Sequence, residues 1–206
     1  MGAVRQVVLA TGNAKKLVEL RRVLGDLDPT IEVLGLADVT PYPEPAETET
    51  TFEGNALLKA RACLAATGLP ALADDSGLTV DALNGMPGVR SARWSGPDAT
   101  DTSNNTLLLS QLFDLPAERR GAAFVCAIAF VLPGGAEHVR RAEMRGTLRT
   151  EPVGENGFGY DPLFVAVGQT MTNGELEPAA KDAISHRGRA VRAMAPVVVA
   201  ELTDEG

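Results

Sequence analysis

Cysteine, basic charge and long apolar runs are all scarce in this chain, and each scarcity removes a class of protein. Two cysteines, Cys63 and Cys126, stand far apart in apolar surroundings. They cannot form a disulfide framework and read as reduced core thiols of a cytoplasmic protein. Lysine and arginine total 19 against 27 acidic residues, leaving a net charge of −8. That balance excludes the sustained basic face a nucleic-acid polymer needs, though one nucleotide can still be met by basic groups and a metal clustered locally. No apolar stretch approaches the ~20 residues that span a bilayer, so no membrane partner is expected. The opening residues Met1–Ala10 enter a strand-like segment without the layout of a secretory signal. Position 6 is glutamine, where a myristoylation motif has serine or threonine.

What is present is an ordinary globular composition, 45% hydrophobic and 22% charged over 206 residues, enough for one domain with a substantial core. A strand is expected over 4–10 and a helix from Ala14 to about Leu24, with Leu17, Leu20 and Leu24 at helical spacing. A second strand is expected over 31–36. Thr40–Glu49, with three prolines and three glutamates, reads as a loop. The next helix should run from Phe52 to Thr67, stopped by Gly68 and Pro70. Short strand pieces at 71–73 and 78–80 flank an acidic pair, and a third helix covers 101–112. A long β-run over 122–132 turns at Pro133-Gly134-Gly135 into a polar-alternating strand to about Thr150. A strand at 163–167 and a helix over 185–202 complete the pattern. Alternating strands and helices with one hairpin give an α/β class with a mixed sheet. No repeat or linker divides the chain, so residues 1–206 read as one domain, with two lobes about a central cleft.

Four segments carry chemistry. Asp74 and Asp75 close an apolar stretch and run into Ser76-Gly77. Buried acids must be hydrogen-bonded or neutralised, and a hard divalent cation such as Mg²⁺ would do so. Asp-Ser-Gly is also ordinary turn chemistry, and both readings stand at this point. Thr11-Gly12-Asn13-Ala14-Lys15-Lys16 lies at a strand-to-helix junction, where free backbone N–H groups favour an anion. The same residues read equally as an asparagine cap with solvated lysines. In Gly157-Phe158-Gly159-Tyr160-Asp161, glycines let Phe158 project and stack on a base, or plug the turn from beneath. Finally, Lys181 and Ser185-His186-Arg187 place donors at a helix start, for carbonyl or phosphate oxygens or simply for water.

Taken in order, these segments resemble the inosine/xanthosine triphosphate pyrophosphatases. The resemblance rests on residues 10–16, Thr51-Phe-Glu-Gly-Asn-Ala56 with Lys59, and Ala73-Asp-Asp-Ser-Gly77. It extends through Pro87-Gly88, Ser91-Ala-Arg93, Gly157-Phe-Gly-Tyr-Asp-Pro162 and Ile184-Ser-His-Arg-Gly188. It implies an elongated mixed α/β fold, a homodimer, and Mg²⁺-dependent hydrolysis of ITP, dITP or XTP to monophosphate and pyrophosphate. By the same resemblance Thr11, Gly12, Asn13, Ala14, Lys15 and Lys16 take the phosphates and Lys59 adds charge toward them. Asp75 binds Mg²⁺ and acts as base, Glu47 is the second metal-site acid, and Ser76 lies alongside the substrate. Phe158, Gly159, Tyr160, Asp161, Lys181, His186 and Arg187 take the purine. Two departures stand out: Glu49 replaces a glycine common in the family's loop, and Asn156 replaces another before Gly157. The first leaves Glu44, Glu47 and Glu49 in competition for the metal; the second calls on asparagine's tolerance of the left-handed conformation. A related pyrophosphatase for pyrimidine or modified nucleotides, and a nucleotide sensor without turnover, are the alternatives.

Overall fold

The computed structural model describes residues 5–204; Val4, expected to open the first strand, lies outside them. Among the described residues the sheet has six strands: β1 (Arg5–Leu9), β2 (Ile31–Leu34), β3 (Ala71–Val80), β4 (Gly121–Val131), β5 (Glu137–Leu148) and β6 (Phe164–Ala166). The helices are α1 (Ala14–Leu27), α2 (Phe52–Thr67), α3 (Asp101–Gln111), α4 (Pro178–Ile184) and α5 (His186–Asp204). The sheet order is β2-β1-β3-β4-β5-β6. β1 pairs in parallel with β2 and β3, whereas β5 and β6 are antiparallel. The mixed α/β class expected from the sequence is therefore the one observed. No helix among the described residues is long and apolar enough to cross a membrane.

The chain divides into two compact units. The first comprises the chain up to Asp75, Cys126–Ala142, and the chain from Arg187 onward; the second comprises Ser76–Val125 and Glu143–His186. The first unit's core packs Leu20, Val23 and Leu24 of α1 and Ala190, Met194 and Val198 of α5 with Leu72, Ile128 and Phe130 of the sheet. In the second, Leu108 and Leu112 join Leu78, Phe124, Met144, Tyr160, Leu163 and Phe164. Neither cysteine is in a disulfide, and both are buried.

Local chemistry explains the helix ends. Asn13 caps α1 by accepting from the Lys15 and Lys16 amides, and Thr51 caps α2 by accepting from Gly54. Gly68 ends α2 in the left-handed region, φ 71°, where an L side chain is strained. One expectation needs correction, and one helix was not expected. β3 is one continuous strand from Ala71 to Val80, not two pieces around a turn, because the acids in its middle have partners that keep them inside the ladder. And α4 escapes a periodicity search, since it has only seven residues and buries none of them.

Candidate active site

Asp74 and Asp75 are both buried, each with 7% of its surface exposed, and each meets a separate set of partners. Asp74 receives the Lys16 ammonium on both carboxylate oxygens at 2.8 Å, with the Arg187 guanidinium at 3.7 Å. The Cys126 thiol approaches at 4.0 Å. Burial alone would raise the Asp74 pKa; Lys16, Arg187 and Lys59 outweigh it and hold the carboxyl below its ordinary value. Asp75 accepts from the Asn55 side-chain amide at 3.1 Å and has the Lys59 ammonium at 3.8 Å. That same ammonium donates to Glu47 at 3.1 Å. One cation is thus shared by the two acids named for the metal.

The competing loop glutamates fall elsewhere. Glu44 lines a cavity of about 150 Å³ with Tyr42, Leu36 and Lys59. Glu49 lies against the start of α2, where a Cβ on Gly54 would meet the Glu49 Cβ at 2.7 Å. Glu49 does not have a positive φ, so glycine is not required at its position.

At the strand-to-helix junction, the Asn13 side-chain oxygen Oδ1 accepts from the Lys15 and Lys16 backbone amides at 3.0 and 3.4 Å, and the Thr11 hydroxyl accepts from the Asn13 backbone amide at 3.3 Å. The capping reading thus describes Asn13 here. Gly12, Asn13, Ala14 and Lys15 are exposed, and a Cβ on Gly12 would meet nothing within 4 Å, so the backbone there is open to approach. Lys16 is half-buried and paired with Asp74.

The second unit holds the glycine-rich loop. Phe158 is 59% exposed, which answers the plug alternative: the ring projects. The Asp161 carboxylate accepts from the Phe158 amide at 2.8 Å, from Asn173 at 3.1 Å and from the Lys181 ammonium in a short ion pair. Lys181 also lies over the Phe158 ring, 4.9 Å from its centroid. A side chain on Gly157, φ 82°, would drive into the Asp161 carboxylate. Gly159 is gripped from both sides: its amide donates to Asp101 at 2.6 Å and its carbonyl accepts from Asn105 at 3.0 Å. Asp101 and Asn105 share a face of α3, one turn apart.

Tyr160 belongs to the core instead, with its hydroxyl donating to the Ser91 carbonyl at 2.8 Å. Burial, and then Asp101, push its pKa well up, so the phenol stays neutral. His186 is buried and stacks on Phe124 with centroids 5.1 Å apart. Asn156 does not take the left-handed conformation; it holds the loop through bonds to the Gly174 and Leu176 carbonyls. Ser76 is half-buried and follows Asp75 along β3.

In the first unit, then, the structure draws Lys16 and Arg187 to Asp74, and Glu47 and Lys59 to Asp75. In the second it assembles Phe158, Asp161 and Lys181. Sequence reasoning missed Asn55, Asn173, Asp101 and Asn105, all of which serve through a neighbour. Asn55 stands in the Thr51–Ala56 motif without a role of its own, and the other three carry no sequence signal. Among the described residues no three His, Cys, Asp or Glu side chains form a metal cluster. Mg²⁺ does not require one, taking one or two carboxylates plus water and substrate phosphate. Two acids already sharing a cation, with an amide donor on one of them, suit that demand.

A profile of the Ham1 family matches residues 7–197. A dITP/XTP pyrophosphatase of Nocardia farcinica is 60% identical over 196 residues, covering 95% of each chain. A protein of the same name from Cutibacterium acnes is 59% identical over 199 residues, covering 96% of this chain and 98% of its own. The crystal structure of a nucleoside-triphosphatase / dITP/XTP pyrophosphatase from Mycobacterium abscessus is 53% identical with a TM-score of 0.79, covering 93% of this chain and 99% of that one. A HAM1 protein from Coxiella burnetii is 41% identical with a TM-score of 0.87, covering 95% of this chain and 98% of its own.

Proposed function

The chain belongs to the Ham1 family, and we propose that it hydrolyses the nonstandard purine nucleotides ITP, dITP and XTP to monophosphate and pyrophosphate. The observation that carries this reading is the ammonium of Lys59 held jointly by Glu47 and Asp75. It marks a place where two acids converge on one positive charge. Glu47 and Asp75 would hold Mg²⁺, which when bound supplies charge neutralisation for the triphosphate. Asp75, kept as an acceptor by the Asn55 amide, orients a water toward the α-phosphorus and takes its proton. The leaving pyrophosphate departs with the electron pair of the broken anhydride bond.

Lys16 has three donors, and its two bonds to Asp74 leave one for a phosphate oxygen. The open backbone at Gly12 and the start of α1 add N–H groups for the phosphate chain, with Thr11, Asn13, Ala14 and Lys15 around them. Phe158 stacks on the purine, with Gly159 beside it. Asp161, Lys181 and His186 read its edge. Hypoxanthine and xanthine carry oxygen at the 6-position, where adenine carries an amino group. Donors matched to that oxygen are left unpaired facing adenine, a mismatch large enough for strong discrimination. The whole chain then works as one catalytic domain, cytoplasmic and homodimeric, that cleanses the nucleotide pool.

The test is turnover of ITP, dITP, XTP, GTP, ATP and dTTP with Mg²⁺ and with EDTA, assaying pyrophosphate and phosphate separately. Metal-dependent pyrophosphate from ITP, dITP and XTP, with little from the others, is expected. Inorganic phosphate as the product would move attack off the α-phosphorus, and dTTP as the best substrate would replace the base preference.

A further inference from the structure

Asn55 is fully buried in the first turn of α2. Asparagine is a poor helix former, so burying one there calls for compensation by its side chain. Both ends of its amide are engaged. The carbonyl oxygen accepts from the Glu49 backbone N–H at 3.0 Å, and the nitrogen donates to Asp75 at 3.1 Å. The orientation is not arbitrary. A backbone N–H can only donate, so the Asn55 oxygen must face Glu49 and the NH₂ must face Asp75. A donor aimed at a carboxylate oxygen fixes which lone pairs Asp75 presents elsewhere. At the other end, Glu49 lies two residues beyond Glu47, and the Thr51 cap and the side-chain-free Gly54 let that stretch lie close against the helix.

We propose that Asn55 is a positioning residue for the metal-binding acids, a strut that ties the Glu47-bearing loop to Asp75 through a single amide. It rests on the reading of Glu47 and Asp75 as the metal pair. Without the strut the two carboxylates lose their common reference, and the metal must pay to bring the loop back to β3. Supports of this kind around metal ligands are worth roughly 10–100-fold in affinity or activity.

The experiment uses the full chain with Mn²⁺ as probe, its binding followed by electron paramagnetic resonance without substrate. Asn55→Leu keeps the size of the side chain and removes both bonds. The expected result is Mn²⁺ bound about tenfold to a hundredfold more weakly. At saturating metal, the KM for dITP should change less than about threefold, because no phosphate or base contact is removed. Asn55→Ser, which leaves room for a bridging water, serves if the leucine variant does not fold, and should show a smaller weakening of the same kind. A lowered unfolding temperature with unchanged Mn²⁺ affinity would make Asn55 merely structural and overturn the proposal. So would a wild-type Mn²⁺ site that survives Asp75→Asn. Turnover of dITP by the wild type tests the reaction independently, since metal affinity here is read with no nucleotide present.

Discussion

The two units hold their functional groups by different means. In the first, acids are met by the ends of long cations: Lys16 and Arg187 at Asp74, Lys59 between Glu47 and Asp75. In the second, the Phe158 loop is held largely through its backbone, by Asp161 on the Phe158 amide and by Asp101 and Asn105 on the two sides of Gly159. A lysine can turn from a carboxylate to a phosphate without the chain moving, whereas a clamped peptide cannot change partners without refolding its loop. The first arrangement suits groups whose charge must be redistributed during a reaction. The second suits a surface whose shape must be ready beforehand.

The sharpest way to break this contrast is Asp75→Asn. It removes the base while keeping a buried side chain of the same shape, so kcat should fall by about 10³ or more, with the far-ultraviolet spectrum unchanged. Near-normal turnover would take Asp75 out of the chemistry. Lys16→Ala should follow, raising the KM for nucleotide about 10–100-fold through one lost charge-assisted bond. It should also lower the unfolding temperature, because Asp74 keeps less compensation for its burial. An effect on base preference alone would contradict the division between the units. Phe158→Ala comes next, raising KM for ITP about tenfold by loss of stacking with little change in unfolding temperature, since the ring is exposed. Unchanged kinetics would leave that ring without a role.

The smallest effect tests an ion pair of the second unit that is exposed and lies outside the loop. The hydrogen bonds from Arg145, more than its charge, hold the Asp81 carboxyl below its ordinary pKa. A lowered folded pKa contributes stability that is present above the unfolded value of about 4 and lost as pH falls through the folded one. Arg145→Ala should therefore reduce stability by less than about 0.5 kcal/mol at neutral pH. In urea titrations the difference from wild type should shrink as the pH falls below about 4.

Legibility followed how local the cause was. The limits of α2 were readable to the residue, since the Thr51 cap and Gly68 stop are neighbours in sequence. β3 was not, because Asp74-Asp75-Ser76-Gly77 has turn composition, while side chains that meet its two acids, among them Lys16, Asn55, Lys59 and Arg187, are distant in sequence. Phe158 could be singled out from its flanking glycines, yet the Asp101–Asn105 grip could not, as it joins residues more than fifty positions apart. Tyr160 was misplaced for a related reason. A tyrosine in a functional motif looks like a contact residue until its hydroxyl is found on the Ser91 carbonyl in the core.

The continuity of β3 through the acidic pair has a consequence for what this gene can tolerate. Consecutive residues of a strand point to opposite sides, so neighbouring acids answer to different neighbourhoods only because of parity. Deleting one codon between Ala71 and Asp74 would leave two acids in the strand, but hand the second to Lys16 and Arg187 and expose the first to Lys59 and Asn55 one step out of place. Composition and charge would be almost untouched and the site would be lost, so length in this stretch is guarded as strictly as the identity of either aspartate.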